Sequence, residues 1–446
     1  MRVTSRKPFS AQNSPFQQLF GPIQTKSKLC MIFEQSSPTK WLGSEMKNSD
    51  IAIIGSGCIG MAIARGLLEL NPRIKVTIFE KEADFASHAS ARNSGVLHAG
   101  FYYSPESMKA RFCRDGRDEI EKLAMKYAIP IQRVGKVVVA QNEDESSRLE
   151  ILLKRGLVNG VELERFPANE LSYFEPLAQT VDSFLWSPNT AISNPSMINQ
   201  ALRVELQSKN VEFISGAKMQ IKNGKWFNND VEVSSKYFVN AAGAWALDIA
   251  HQLNIGSNYR TMPFLGLYKQ TMKSHLPIKT LVYPVPHPIN PFLGVHFTIT
   301  IDGNVKIGPS ALPIFGKEQY SILSRVTREE LVAFGKNLVC MSRGSKHDLW
   351  SMMKYEIPKL ATSNLVNAAS KLVPSATQVI NWTRKNPGIR GQLINTQNGE
   401  LLQDFQIEHS LNSTHVLNAV SPGWTASIPF GRHVAQLVSE RLNCNS

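Results

Sequence analysis

The feature that most constrains this chain is a strand, a glycine turn and a helix in unbroken succession around residue 55. Ile51-Ala52-Ile53-Ile54 is an apolar run, Gly55-Ser56-Gly57-Cys58-Ile59-Gly60 follows, and Ile59, Ile63, Leu67 and Leu70 then recur on one helical face. Lys75-Val76-Thr77-Ile78-Phe79 reads as a second buried strand, and Glu80 stands 20 residues after Gly60. Such an order demands a parallel βαβ unit, and its spacing is that of a dinucleotide fingerprint.

Each residue has a physical task in that reading. Gly55 permits the tight turn, Gly57 lets the backbone approach a pyrophosphate, and Gly60 lets helix and strand pack closely. The helix start at Cys58 and Ile59 offers free N–H donors to the anion. Glu80 accepts ribose hydroxyls, with Lys81 next to it at the cofactor. A lone GxGxxG is only a flexible turn; the flanking strands, helix and acid make it a nucleotide site. The fingerprint alone does not choose between FAD and NAD.

The chain has 446 residues, 42% hydrophobic and 19% charged, which excludes global disorder and predicts two or three domains. A formal net charge of +13 favours acidic partners: carboxylates, phosphates, anionic lipid or nucleic acid. Five scattered cysteines without a CxxC pair indicate neither a disulfide framework nor a zinc site, and they suit a reducing compartment. No window offers about 18 consecutive apolar residues, so membrane contact is expected to be peripheral. Residues 1–46 are rich in Ser, Gln, Pro and Lys, with no acidic residue before Glu34. They read as a disordered extension ahead of a core that could start at Met46, or as a transit-like presequence.

Ala91-Arg92-Asn93-Ser94-Gly95-Val96-Leu97-His98-Ala99-Gly100-Phe101-Tyr102-Tyr103 resembles the second signature of FAD-dependent oxidoreductases of the D-amino-acid oxidase superfamily. Within it, the string is most similar to the L-2-hydroxyglutarate dehydrogenases and oxidases. The resemblance continues through Ser107-Met108-Lys109-Ala110, Cys113, Tyr283 to Pro286, Pro291 to Thr298, Ile301-Asp302-Gly303 and Gly308-Pro309. It includes Gly388 to Gln392, Asp404-Phe405 and Ser421 to Ser427, and so covers the chain from about residue 47 onward. It implies FAD as cofactor, a small carboxylate as substrate, and quinone or oxygen as electron acceptor. The implied fold class is α/β: a doubly wound, Rossmann-type FAD-binding domain interleaved with an antiparallel α+β substrate domain. Residues 47–130, 185–260 and 385–446 are expected in the first, 131–184 and 261–384 in the second.

Arg92 and Ser94, with Asn93 between them, suit pyrophosphate charge and cofactor hydrogen bonds, and Gly95 leaves room for a bulky ring. The plainer reading of Arg92 is a solvated surface charge. Ala242 and Gly243 follow the apolar strand Tyr237 to Asn240 and read as a second close approach to the cofactor, or as helix-to-strand packing. Gly423, Trp424 and Thr425 precede a helical pattern whose start would stabilise negative charge on the flavin, or form an ordinary turn. The resemblance sets this segment against the flavin.

Oxidising a 2-hydroxy acid needs a cation for the carboxylate, a base for the hydroxyl proton and a fixed geometry. Arg390 is the candidate cation, by the resemblance and because a planar guanidinium suits a carboxylate; its alternative is a structural ion pair. His98 and His296 are the candidate bases. Lys109 and Tyr103 read as packing or pocket-shaping residues. Where the family usually shows Arg-Gly-Glu-Tyr, this chain has Leu265-Gly266-Leu267-Tyr268; His287, Ile299 and Ser310 also depart from it. These changes fall in the presumed substrate half and leave a smaller or more apolar 2-hydroxy acid open.

Amino acid, amine or glycerol-phosphate oxidation is the second reading, and an RNA-associated flavoprotein a third, disfavoured because no aromatic-basic RNA module is evident. No metal site is expected. The basic, helical stretch Thr327 to Leu372, with Trp350, Met352, Met353 and Tyr355, could lie on an anionic membrane or form core. The expected location is the cytoplasm, with peripheral contact to the inner membrane, or the mitochondrion.

Overall fold

The first strand, β1 (Ser49–Ile54), is buried over almost its whole length because it forms the centre of a sheet covered on both faces. It runs through the turn at Gly55 into α1 (Cys58–Leu70), which buries Ile59, Ile63 and Leu67 of the apolar pattern but leaves Leu70 exposed in its last turn, and Asn71 ends that helix by returning its N–H to Leu67 O at 2.8 Å. The β-branched strand β2 (Val76–Phe79) pairs with β1 in parallel, Ile53 opposite Ile78. A long helix, α2 (Met108–Lys126), begins at Ser107, whose hydroxyl accepts the Ala110 N–H. Across almost 300 residues, the Asp404 carboxylate accepts the N–H groups of Met108 (2.8 Å) and Lys109 (3.1 Å), adding a second cap.

Further along lie β3 (Lys136–Val139), β4 (Ser235–Asn240), β5 (Tyr259–Met272), β6 (Leu281–Pro284), β7 (His296–Ile299), β8 (Thr383–Asn395) and the C-terminal helix α3 (Ser427–Cys444). A seven-stranded sheet runs in the order Thr39–Lys40, Glu212–Ser215, β2, β1, β4, Ser413–Asn418, Gln406–His409. Its neighbours are parallel except for the last pair. A nine-stranded, mostly antiparallel sheet runs Leu312–Pro313, β5, Asn304–Gly308, β7, β6, β3, Ser183–Ser187, Glu164–Pro167, with β8 paired to β5. Each sheet has its own core, the first under α1, α2 and α3, the second built from β3, β6 and β7.

This is the mixed α/β architecture expected. The computed structural model describes residues 39–40, 49–287, 292–321, 324–344 and 349–444. The expected disorder of 1–46, Cys30 and Pro291 therefore fall outside the described residues, apart from the pairing of Thr39–Lys40. Contacts gather Thr39–Ser446 into one unit. The boundaries expected at 185 and 385 fall inside Ser183–Ser187 and β8, both strands of the larger sheet. Thr327 to Leu372 is helical as expected, with Arg328–Met341, Leu349–Glu356 and Thr362–Ser370 in sequence. Among the described residues no helix is long and apolar enough to cross a membrane, and Cys58, Cys113, Cys340 and Cys444 are free thiols.

Candidate active site

A cavity of about 850 Å³ opens where the two sheets meet, and its wall collects most of the residues singled out above. Gly55, Gly57, Cys58, Ile59, Glu80, Lys81, Arg92, Asn93, Ser94 and His98 line it, as do Ala242, Gly243, Arg390 and Gly423 to Thr425. Gly60, Gly95 and His296 do not.

The glycines divide by task. Gly55 has φ +102°, and a Cβ there would stand 2.5 Å from Ala241 O. A Cβ on Gly60 would lie 2.0 Å from Gly55 O, so Gly60 serves helix-to-strand packing. Gly57 instead faces the cavity, with only Ser90 Oγ near its missing Cβ, at 3.0 Å. Ser90 Oγ also accepts the Cys58 N–H at 2.9 Å and so ties the loop carrying Arg92 to the first turn of α1. No feature of the spacing pointed to Ser90. Gly243 has φ +59° and open space where its Cβ would stand, which argues against packing as its reason.

The charged wall is more internally bonded than the sequence implied. Glu80, nearly buried, accepts from Ser56 N–H (3.0 Å), Ser56 Oγ (2.6 Å) and Glu82 N–H (3.0 Å), so it braces the glycine turn as well as facing the cavity. Arg92 donates to Ser87 O at 3.0 Å and stacks its guanidinium 4.1 Å from the centre of the Tyr320 ring. Asn93 and Ser94 bond their own loop, accepting from Gly95 N–H and Val96 N–H. Glu82, His88 and Glu318 bring ligand atoms within 4.8 Å of one another, but the Lys81 ammonium contacts Glu82 and lies 2.5 Å from Glu318. The cluster is an ion-pair network.

At the other end β8 carries Arg390. Gly388 and Gly391 on either side allow its close approach, since a Cβ at Gly388 would stand 2.4 Å from Arg92 O and one at Gly391 2.8 Å from Ala244 Cβ. Arg390 donates to Ser310 O at 3.4 Å and has no acidic partner among the described residues. Ser310, one of the departures, is buried and bridges Leu267 N–H and Leu265 O, so it fixes the strand opposite Arg390. The charges absent at Leu265 and Leu267 are replaced by an apolar cluster with Leu312, Ile314 and Ile389. Ile299 is core, and His287 stacks on Tyr355.

The two histidines differ. His98 lines the cavity, burial holds its pKa well below the usual 6.5, and Lys136 and His296 add to that. Its Nδ1 has no hydrogen-bond partner among the described residues. Thr425 Oγ1 accepts the His98 N–H at 3.3 Å and donates to Val96 O at 3.2 Å, locking the signature strand to the segment before α3. His296 lies behind the wall, its ring 3.8 Å from that of Tyr283 and its Nδ1 donating to Gly294 O at 2.7 Å. Burial brings its pKa to about 3, with Lys136 and Arg390 adding to the effect. Tyr268 also lines the cavity, a position the sequence read only as part of a departure.

These residues fit an extended dinucleotide: glycine backbone bare of side chains at two points of the wall, helix N–H groups at one end and a guanidinium at the other. The description "FAD dependent oxidoreductase", of the DAO family, matches residues 50–437. L-2-hydroxyglutarate dehydrogenase of Indibacter alkaliphilus is 32% identical over 401 residues, covering 88% of this chain and 99% of that protein. The mitochondrial L-2-hydroxyglutarate dehydrogenase of Caenorhabditis elegans is 30% identical over 421 residues, covering 90% and 94%. Among solved structures, L-alpha-glycerophosphate oxidase from Mycoplasma pneumoniae with FAD bound superimposes with a TM-score of 0.68 at 23% identity, over 88% of this chain and 95% of that one. Glycine oxidase from Geobacillus kaustophilus gives 0.66 at 19%, over 89% and 95%. The fold, the cavity and these likenesses agree: the chain belongs to the DAO family of FAD dependent oxidoreductases.

Proposed function

We propose that this enzyme oxidises the hydroxyl-bearing carbon of an L-2-hydroxy acid, converting L-2-hydroxyglutarate to 2-oxoglutarate. One observation carries the reading: His98 and Arg390 line the same cavity as the glycine turn, the first a neutral imidazole and the second a guanidinium without a carboxylate. FAD, when bound, supplies the acceptor for the hydride.

Arg390 holds the carboxylate next to the reacting carbon by a charge-assisted fork, and Ser310 and the neighbouring glycines keep its strand in register. His98 takes the hydroxyl proton on its imidazole as the hydride leaves; it is neutral at pH 7 because burial disfavours the cation. His296 supports the site from behind. Gly55, Gly57, Cys58 and Ile59 would cradle the pyrophosphate, with Gly60 packing α1 close; Glu80 and Lys81 would hold the adenosine part, and Arg92 to Ser94, Ala242, Gly243 and Gly423 to Thr425 the flavin, with Gly95 behind the wall. The half built on the seven-stranded sheet binds the cofactor and the half built on the nine-stranded sheet the substrate. Electrons pass on to quinone or oxygen. The enzyme works in the cytoplasm or mitochondrion, in peripheral contact with the inner membrane.

Anaerobic titration with L- and D-2-hydroxyglutarate, lactate, malate, amino acids and glycerol phosphate, following flavin bleaching, tests the reading. Arg390→Ala is expected to weaken L-2-hydroxyglutarate binding about 100-fold, in line with a charge-assisted pair. His98→Ala is expected to slow flavin reduction by about 10²–10⁴. Unchanged reduction kinetics in both variants, or bleaching only by amines or glycerol phosphate, would overturn it.

A further inference from the structure

Behind the wall that carries His98 lies a lysine with no solvent exposure at all. Lys136 opens β3, and Gly135 before it, at φ +66°, turns the chain so tightly against Trp186 that a Cβ would overlap the indole. The side chain enters a cage of Phe101, Tyr102 and Tyr283, with ring centres 4.6, 4.8 and 4.8 Å from Nζ. Among the described residues Nζ has no hydrogen-bond partner, and neither do the Tyr102 hydroxyl or His98 Nδ1. Burial lowers the Lys136 pKa to about 7, opposed only by Cys113.

Such groups are costly. A buried polar atom without a partner disfavours the fold, an unpaired charge more so, and native proteins leave few of them. The three rings attract the ammonium without neutralising it. A water would satisfy hydrogen bonds but not charge. What the cluster lacks is a small anion with several acceptor lone pairs, and a carboxylate has four. The position matters as much as the chemistry. The His296 imidazole, stacked on Tyr283, feels both Lys136 and Arg390, so the two cations flank one side-chain pair, Arg390 on the cavity wall and Lys136 behind it.

We propose that Lys136 Nζ, with the Tyr102 hydroxyl, forms a second carboxylate subsite that makes the enzyme selective for dicarboxylates. The inference rests on the 2-hydroxy acid reading: Arg390 holds the carboxylate beside the reacting carbon and Lys136 the remote one. Neither Lys136 nor Tyr102 lines the cavity, so the subsite requires a side-chain rotation in the cage to open toward it. It also supplies a cation in the substrate half, where Leu265 and Leu267 carry none.

The test uses two ligands that cannot be oxidised, glutarate and butyrate, titrated against the FAD-loaded protein while the flavin absorbance is followed at pH 7. Wild type is expected to bind glutarate at least ~10-fold more tightly than butyrate. In Lys136→Met the ratio of the two dissociation constants is expected to shift by ~10-fold or more toward butyrate, and in Tyr102→Phe by about threefold. An unchanged ratio in an FAD-loaded Lys136→Met protein, or an equal loss for both ligands, overturns the subsite. If Lys136→Met fails to hold FAD, Tyr102→Phe decides, and an unchanged ratio there overturns it. Because neither ligand is a substrate, a Lys136-dependent preference in a protein that no hydroxy acid reduces would refute the functional reading while leaving the subsite standing.

Discussion

Lys136 destabilises the free protein, and pH reveals by how much. Its pKa falls from 10.5 to about 7 on folding, so between those values the unfolded chain binds a proton that the folded chain does not. Stability therefore rises with pH across that window, and at pH 7 the penalty approaches ~5 kcal/mol as an upper limit, at 1.36 kcal/mol for each pKa step. Lys136→Met is expected to melt several degrees higher at pH 7 and to lose the rise toward pH 10; calorimetry across that range checks both. A variant that melts lower and keeps the same slope contradicts the argument. Residues differed in how far they could be read before folding. His98 stood inside a distinctive string, and its chemistry was legible from type alone. Lys136 opens the run Val137 to Val139, which by itself says only strand, because its desolvation comes from three rings delivered by other segments, and no local pattern carries that.

At the scale of elements, α1 and α3 cross at two glycines. A Cβ on Gly66 would lie 2.8 Å from Arg432 Cα, and one on Gly431 2.5 Å from Ala62 Cβ, so the helices meet backbone to backbone. Gly431→Ala is expected to force them apart at a cost of about 1–3 kcal/mol, seen as a lower melting temperature and faster loss of FAD. An unaltered melting curve would show the crossing to be slack. Both helices were legible from the spacing of apolar residues, and the strands around Gly55 from their β-branched runs. Their crossing was not, since Gly66 and Gly431 are far apart in sequence and neither glycine breaks its helix. The double capping of α2 by Ser107 and Asp404 explains, after the fact, why these two positions belong to the recognised pattern.

For the whole molecule, the proposed membrane contact can be tested on the formal net charge of +13 and the apolar side chains exposed around Arg328 to Leu360. Leu331, Val332, Trp350, Ile357 and Leu360 are all well exposed. Purified protein is expected to sediment with anionic vesicles at low salt, to be released by high salt, and to bind less when Trp350→Glu is introduced. Protein that stays in the supernatant under all these conditions rules the contact out. The α/β class was readable because the glycine fingerprint dictates a parallel sheet, whereas the limits of the two halves were not. Thr383–Asn395 pairs residue by residue with Tyr259–Met272, more than a hundred positions upstream, and only that pairing assigns it to the larger sheet.

The same strand, β8, has a mechanical consequence. It is hydrogen-bonded along β5 in the larger sheet, while Gly388 presses on the backbone at Arg92 and Gly391 on Ala244, both from segments attached to the smaller sheet. A hinge between the two sheets would have to tear this seam, so the strand fastens them like a rivet through both plates.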